Sequence, residues 1–404
     1  MNIKFRRSVD KVFTPYYNKW NQDAYWRNSP FSEMPCNLDA SSTSGAPVVI
    51  GENFFAGLTS PELAIFNYDK GILSVEASEK ALFITENESI EAAWTQYHSS
   101  LDIIKDRNDF GKIPEYCTWV EQVWQNQKLN GASPFAVLSP QLIYQYLDAV
   151  DKQHWPRGRF TVDAGWSVMD GPGGVGDWEP RPEFDMKGLA QSIQSAGHIP
   201  GLWLAPGLIH PKSRIARQYP HLVGKCFDVG GECIWSKYHF INPCEESQQL
   251  FDQLLEKIWC WGFRKVKLDV LYGPKMQMTE LHRQIYQAAK KLPDFIELEG
   301  HIPDPFCSQY VNVVRTNDVM IAPEHHQWEN VVHAHFKVCH QSSPTHLLNL
   351  DHIGGNCANI SEDLFLKHLE IIKTQVAAGY PVISLLPYHV SEYANECVSL
   401  FIND

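Results

Sequence analysis

The stretch Phe160–Lys212, FTVDAGWSVMDGPGGVGDWEPRPEFDMKGLAQSIQSAGHIPGLWLAPGLIHPK, reads as strand, long aromatic and glycine-rich loop, helix and strand again. Its first strand ends on an acid, Asp163. Further along, Lys265-Val266-Lys267-Leu268-Asp269 gives another strand that also ends on a carboxylate. Carboxylates delivered by successive strand ends are what a glycosidase on a β/α barrel requires.

The same rhythm extends in both directions. From Glu115 onward, strands are expected at Tyr116–Val120, Phe160–Asp163, Ile199–Ala205, Lys265–Asp269, Phe295–Glu299, Val311–Arg315, His346–Asp351 and Pro381–Leu385. Helical patterns lie between them. One has Asn242 as N-cap, Pro243 at the first position, apolar residues Leu250, Phe251, Leu254, Leu255 and Ile258 at helical spacing, and Gly262 as its stop. Others run from Asp185 to Gly197, from Ser361 to Gly379 and from Ser391 to Ile402. Eight strands alternating with helices predict a parallel sheet closed as an α/β, (β/α)8 TIM barrel over residues 111–404. Residues 1–110 are rich in Asn, Ser and Pro with strand-like runs at Pro47–Ile50, Leu63–Asn67 and Ala81–Thr85, which predicts a short β-rich or extended N-terminal appendage.

Composition narrows the class. A chain of 404 residues, 44% hydrophobic and 20% charged, can bury a large core. Its formal charge of −13 argues against a nucleic-acid or anionic-membrane partner. No run reaches the roughly 18 apolar residues of a membrane span. The start, MNIKFRRSVDKVF, has positive charge without an apolar run behind it, so a cytoplasmic location is expected. The ten cysteines are scattered and read as reduced thiols, which leaves the sequons at Asn87 and Asn359 little weight. Oligomeric state stays open, a homo-oligomer included.

Alternation along the strands selects the candidate site. With Asp269 at a strand end facing the mouth, Lys267 points the same way, and the same parity turns Asp163, Trp203, Glu299 and Arg315 inward. Asp351 closes the seventh strand, and Asp318 follows Arg315 in the next loop. For any one pair a buried salt-bridge plug is the bland alternative. For the whole set the charges exceed what packing needs and cost desolvation. Glycoside hydrolysis needs one anionic and one protonated carboxyl. Asp269, near Lys267 and Arg315, suits the nucleophile. Asp318, followed by Val319-Met320-Ile321-Ala322, suits the general acid. In a retaining enzyme the two would sit about 5 Å apart.

Three motifs are decoys. Gly171 to Gly176 matches G-x-G-x-x-G, but Trp178 and two prolines separate it from the helix near Asp185, so no dinucleotide is expected. His325, His326, His333, His335 and His340 suggest a metal, yet His333 and His335 are two apart on a predicted helix and face different ways. Cys226, Cys233 and Cys244 lack the C-x-x-C spacing of zinc sites. The expected chemistry uses neither metal nor cofactor.

The runs VDAGW, GVGDWEPRPEFDMKGL and GHIPGLWLAPGLI, with KVKLDV at 265–270, resemble glycoside hydrolase family 36 of the α-galactosidase clan over about residues 114–390. YCTW at 116–119 and VVRTND at 313–318 look closer to its raffinose-synthase and seed-imbibition branch. The resemblance implies a retaining α-galactosidase-like enzyme with a carbohydrate substrate. Asp269 would be nucleophile and Asp318 acid/base. Asp163, Lys267, Trp203 and Arg315 would contact the sugar, Asp177 and Trp178 would shape the rim, and Trp119 and Glu299 would complete the binding set. The alternatives are an α-galactosyl transferase of the raffinose-synthase kind and a non-catalytic sugar-binding barrel. Three departures stand out. Ala164 replaces a second aspartate that helps bind galactose, removing up to two charge-assisted hydrogen bonds of roughly 1.5–3 kcal/mol each. The N-terminal region is shorter than the family's usual β-sandwich. No C-terminal β domain follows the barrel.

Overall fold

The computed structural model describes residues 2–6, 11–13, 31–33, 37–39, 48–51, 54–61, 65–69, 72–76, 82–86, 89–105, 107–131, 133–227, 234–271, 275–301, 303–316, 328–354 and 361–403. Eight parallel strands close into a barrel in chain order: Glu115–Cys117, Arg159–Val162, Ile199–Leu204, Lys265–Leu268, Glu297–Gly300, Val313–Arg315, Leu347–His352 and Gly379–Ile383. The first pairs with the eighth through Glu115 opposite Val382 and Tyr116 opposite Ile383. The predicted (β/α)8 barrel is the observed one.

The outward faces of the strands carry Phe160, Val162, Leu202, Leu204, Val266, Leu268, Leu298, Val314, Leu348 and Leu350 into one apolar layer beneath the helices. That explains why the strands alternate apolar with polar residues even though both faces are buried: the second buried face is ionic. The helices begin where their caps dictate. Asp185 accepts the amide of Gly188 at 3.0 Å to start Met186–Ser195, and Ser361 accepts that of Leu364 to start Glu362–Lys373. Several boundaries differ from the sequence reading, and two of the differences have a visible cause. The first strand ends at Cys117 rather than Val120, because the amides of Val120 and Glu121 turn onto Ser384 and open the helix Trp119–Lys128. The fourth strand's preceding helix, Glu245–Trp261, is capped by Cys244, since Asn242 is engaged with the carbonyls of His221 and Leu222.

Before the barrel, two antiparallel sheets form. One contains Asn2–Arg6, Ile72–Glu76, Ile65–Asp69 and Asn37–Asp39; the other Phe31–Glu33, Lys11–Phe13, Val48–Gly51, Phe54–Leu58 and Leu82–Thr85. The helix Ile90–Ser100 covers the second through Phe55, Trp94 and Tyr97, and His98 bonds the Gln341 carbonyl on the barrel. After the third barrel strand an excursion builds a small sheet of Leu208–Ile209, His239–Ile241 and Val223–Cys226 at the mouth.

The seventh strand is irregular. Asn349 pairs with Tyr380, but His352 rather than residue 351 pairs with Val382, so one residue is extra. Asp351, at a φ of 63°, absorbs it. This is a β-bulge, uncommon in a parallel sheet.

The barrel interior is a column of charges. At its base Arg159 forms a bidentate pair with Glu297, at 2.6 and 2.9 Å, with both side chains fully buried. Above, Lys265 lies between Glu115 and Glu299, and Asn349 donates to both carboxylates at 3.0 and 2.9 Å. Higher still, Lys267 meets Asp163 at 2.8 Å and Arg315 meets Asp269 at 3.0 Å. Burial makes each pair costly to break on one side. Arg159→Leu should therefore lower the unfolding free energy by about 3–5 kcal/mol in urea titration, and Arg159→Leu combined with Glu297→Leu should lose less than Arg159→Leu alone.

Candidate active site

Asp269 stands just past the fourth strand, its amide bonded to the Leu204 carbonyl at 2.8 Å. Three donors fix its carboxylate. Trp203 Nε1 reaches Oδ2 at 2.9 Å; Arg315 and the Val270 amide reach Oδ1 at 3.0 and 2.9 Å. Val270 takes a φ of 51° to bring its amide round, a left-handed conformation that disfavours a β-branched residue. Burial opposes ionisation of Asp269. The Arg315 guanidinium, with His301, Lys267 and the Trp203 N–H, outweighs it and holds the carboxyl well below the usual carboxylate range.

Asp163 and Lys267 meet as their parity predicts. Asp163 Oδ2 takes Lys267 and the Cys117 thiol, while Oδ1 takes the Ala164 amide at 2.8 Å. Burial works against the Lys267 ammonium, but Asp163 and the Cys117 sulfur raise its pKa well above the ordinary lysine value. Ala164 itself is buried in the apolar layer outside the strands. The tryptophans form a supporting wall. Trp178 stacks on Trp166 with centroids 6.2 Å apart and meets Trp203 edge-on at 6.0 Å, and Trp166 Nε1 bonds the Trp203 carbonyl at 2.9 Å. Trp178 thus supports the ring that grips Asp269.

Other predicted residues take different places. Both oxygens of Asp177 accept backbone amides, from Gly173 and Arg214 at 2.7 Å and Ile215 at 2.9 Å, so this side chain fastens the second loop to the third excursion. Gly176, within that loop, has a φ of 104°, and a Cβ there would lie 2.9 Å from Ile209. Glu299 joins the step below the mouth, between Lys265 and Arg315. Trp119 opens its helix above the first strand, and its half-buried ring leans on Phe135 at 5.8 Å. Asp318, the expected acid, lies outside the described residues, as do His325 and His326. On the helix Trp328–Ser342, His333 is exposed and His335 buried, the different faces that their spacing predicts.

Two histidines at the mouth escaped the sequence reading. His301 continues the inward parity of Glu297 and Glu299 and bonds the Leu268 carbonyl at 3.2 Å. Burial, against the pull of Asp269, lowers its pKa to about 3. His352 lies on the far side of the bulge, where parity gives no signal. Among the described residues, one other group could hold a metal ion: His221, Cys244 and Glu246, with ligand atoms within 4.8 Å of one another. It lies at the positive start of the helix Glu245–Trp261, where the Cys244 amide donates to the Ser247 hydroxyl, a poor setting for a cation.

No protein-family model matches the chain, and no curated protein matches it. Its fold is shared with solved glycoside hydrolases. The α-galactosidase TtGalA from Thermus thermophilus, in complex with p-nitrophenyl α-D-galactopyranoside, superposes with a TM-score of 0.73 at 16% identity, over 100% of this chain and 88% of that one. The family 36 α-galactosidase AgaA from Geobacillus stearothermophilus gives 0.64 at 12%, over 100% and 62%. A family 31 α-xylosidase from a soil metagenome, complexed with xylose, gives 0.71 at 10%, over 100% and 64%. The chain therefore spans under two thirds of the latter two. Among its described residues no helix is long and apolar enough to cross a membrane.

The column beneath the site sets a pH dependence. Burial resists ionisation of Glu299, but Lys265, Arg315 and Lys267 lower its pKa to about 2. A depressed carboxylate stabilises the fold above its unfolded value of about 4.3 and loses that contribution as pH falls toward the folded value. Glu299→Gln should accordingly be less stable at neutral pH and show a shallower loss of melting temperature between about pH 4.3 and 2 than the unsubstituted chain.

Proposed function

We propose that this chain is a retaining α-glycosidase of the α-galactosidase kind, related to glycoside hydrolase family 36. Asp269 attacks the anomeric carbon, and Asp318 protonates the departing oxygen and then activates water. One observation carries the reading: Asp269 is kept anionic at a barrel strand's C-terminal end by Arg315, Trp203 and a backbone amide. A carboxylate fixed in that state is pre-organised for a nucleophile and unsuited to donating a proton. Lys267, paired with Asp163 beside it, adds a positive wall that complements sugar hydroxyl oxygens. The resemblance to solved α-galactosidases in fold supports the substrate class, and nothing in the named neighbours favours the raffinose-synthase branch. Ala164 offers no carboxylate, so the sugar is expected to be a galactoside variant or another α-linked sugar that does not need one.

A panel of aryl α-glycosides, galactose and N-acetylgalactosamine first, tests the proposal. Asp269→Ala should fold and lose roughly 10⁴-fold or more of its turnover. Asp318→Ala should keep part of its activity on substrates with good leaving groups and gain from azide. A 2-fluoro sugar should label Asp269. Equal turnover by Asp269→Ala and the unsubstituted chain would reject the assignment.

A further inference from the structure

His352 has no counterpart among the paired groups around it. Its side chain is only 9% exposed and both ring nitrogens are shielded, yet among the described residues neither has a hydrogen-bond partner. Asp351 Oδ1 lies 3.6 Å from Nε2, beyond hydrogen-bonding reach. Two unpaired buried nitrogens are a standing cost, and such a group in a native fold calls for an explanation, a ligand that completes it among them.

The bulge explains how the ring comes to the inner face of the barrel. Paired residues on parallel neighbours share a face, and His352 pairs with Val382, which packs against Cys117, Val313 and Tyr380 inside the barrel. Leu350 and Ile353, on either side, belong to the outer apolar layer. Simple alternation from Asn349 would give the inward place to Asp351. The extra residue gives it to an imidazole instead.

The charges facing that ring decide its state. Burial first, then Lys267, Arg315 and Lys265, drive its pKa well below the ordinary value, against the pull of Asp269. The imidazole is therefore neutral, with one N–H donor and one bare nitrogen acceptor. A cation would be repelled by the same three neighbours, and an anion would leave the acceptor unused. A hydroxyl both donates and accepts.

We infer that His352 is a substrate-contacting residue that binds a ring hydroxyl of the sugar at the barrel mouth and helps select among sugars that differ there. The inference rests on the mouth being a glycoside site. It transfers no proton, so the pH profile of turnover should not change when His352 is replaced.

Two measurements decide it. In a long-range ¹H–¹⁵N spectrum of the full chain, with the His352 signals assigned through His352→Gln, galactose, N-acetylgalactosamine, glucose and xylose are added in turn. At least one sugar should shift both ring nitrogens. No shift with any of them, while an aryl α-glycoside is still cleaved, overturns the role of His352 and leaves the glycosidase reading standing. A shift without turnover of any aryl glycoside does the reverse. In kinetics, His352→Leu should lose about 10- to 100-fold in kcat/KM on the preferred substrate and less than about 3-fold on the analogue lacking the contacted hydroxyl, with His352→Gln recovering most of the loss. Equal losses on both substrates would mark a packing role and overturn the inference.

Discussion

A cation inside a barrel must have an anion beside it, and this requirement organises the molecule. Arg159, Lys265, Lys267 and Arg315 rise through the interior against Glu297, Glu115, Glu299, Asp163 and Asp269. Desolvating any of these alone would cost several kcal/mol, so each is tolerable only in its pair. Five carboxylates face four cations. The surplus negative charge tells at Glu115, whose pKa burial raises further than its shared Lys265 can lower it, with Glu299 adding repulsion.

The column also prepares the site. Arg315 holds Asp269 and leans toward Glu299 at 3.9 Å, so the nucleophile candidate is oriented by a side chain that is itself set from below. Trp203 is held by Trp166 and Trp178 from the second loop. Under the proposed reaction little reorganisation would be needed where charge changes, which is how fixed dipoles contribute to catalysis. The lower steps resemble the plug that a single ion pair would suggest; the upper step holds the candidate nucleophile.

The eight strands, and the inward residues on five of them, were legible because alternation is strict where one face meets an apolar layer and the other a column of charges. Lys267, Asp269, Trp203 and Arg315 converge for that reason. Asp177 looked like a rim residue because nothing in a G-D-W run reveals that a carboxylate will be consumed by amides from a loop some forty residues away. Glu299 was legible in direction but not in depth, since parity gives a face and not a height along the axis. His301 obeyed the same parity and could have been found from it. His352 could not, because a bulge reverses the parity it interrupts.

The base and the Lys265 step draw their partners from both halves of the chain. Arg159 on the second strand waits for Glu297 on the fifth, and Lys265 on the fourth needs Glu299 from the fifth as well as Glu115 from the first. Asp269 likewise waits for Arg315 on the sixth strand. A barrel assembled only through its fourth strand would leave Arg159 and Asp269 uncompensated and Lys265 with Glu115 alone. Half-barrels are thus poor intermediates for this sequence, and the closing of the sheet is coupled to the drying of its centre.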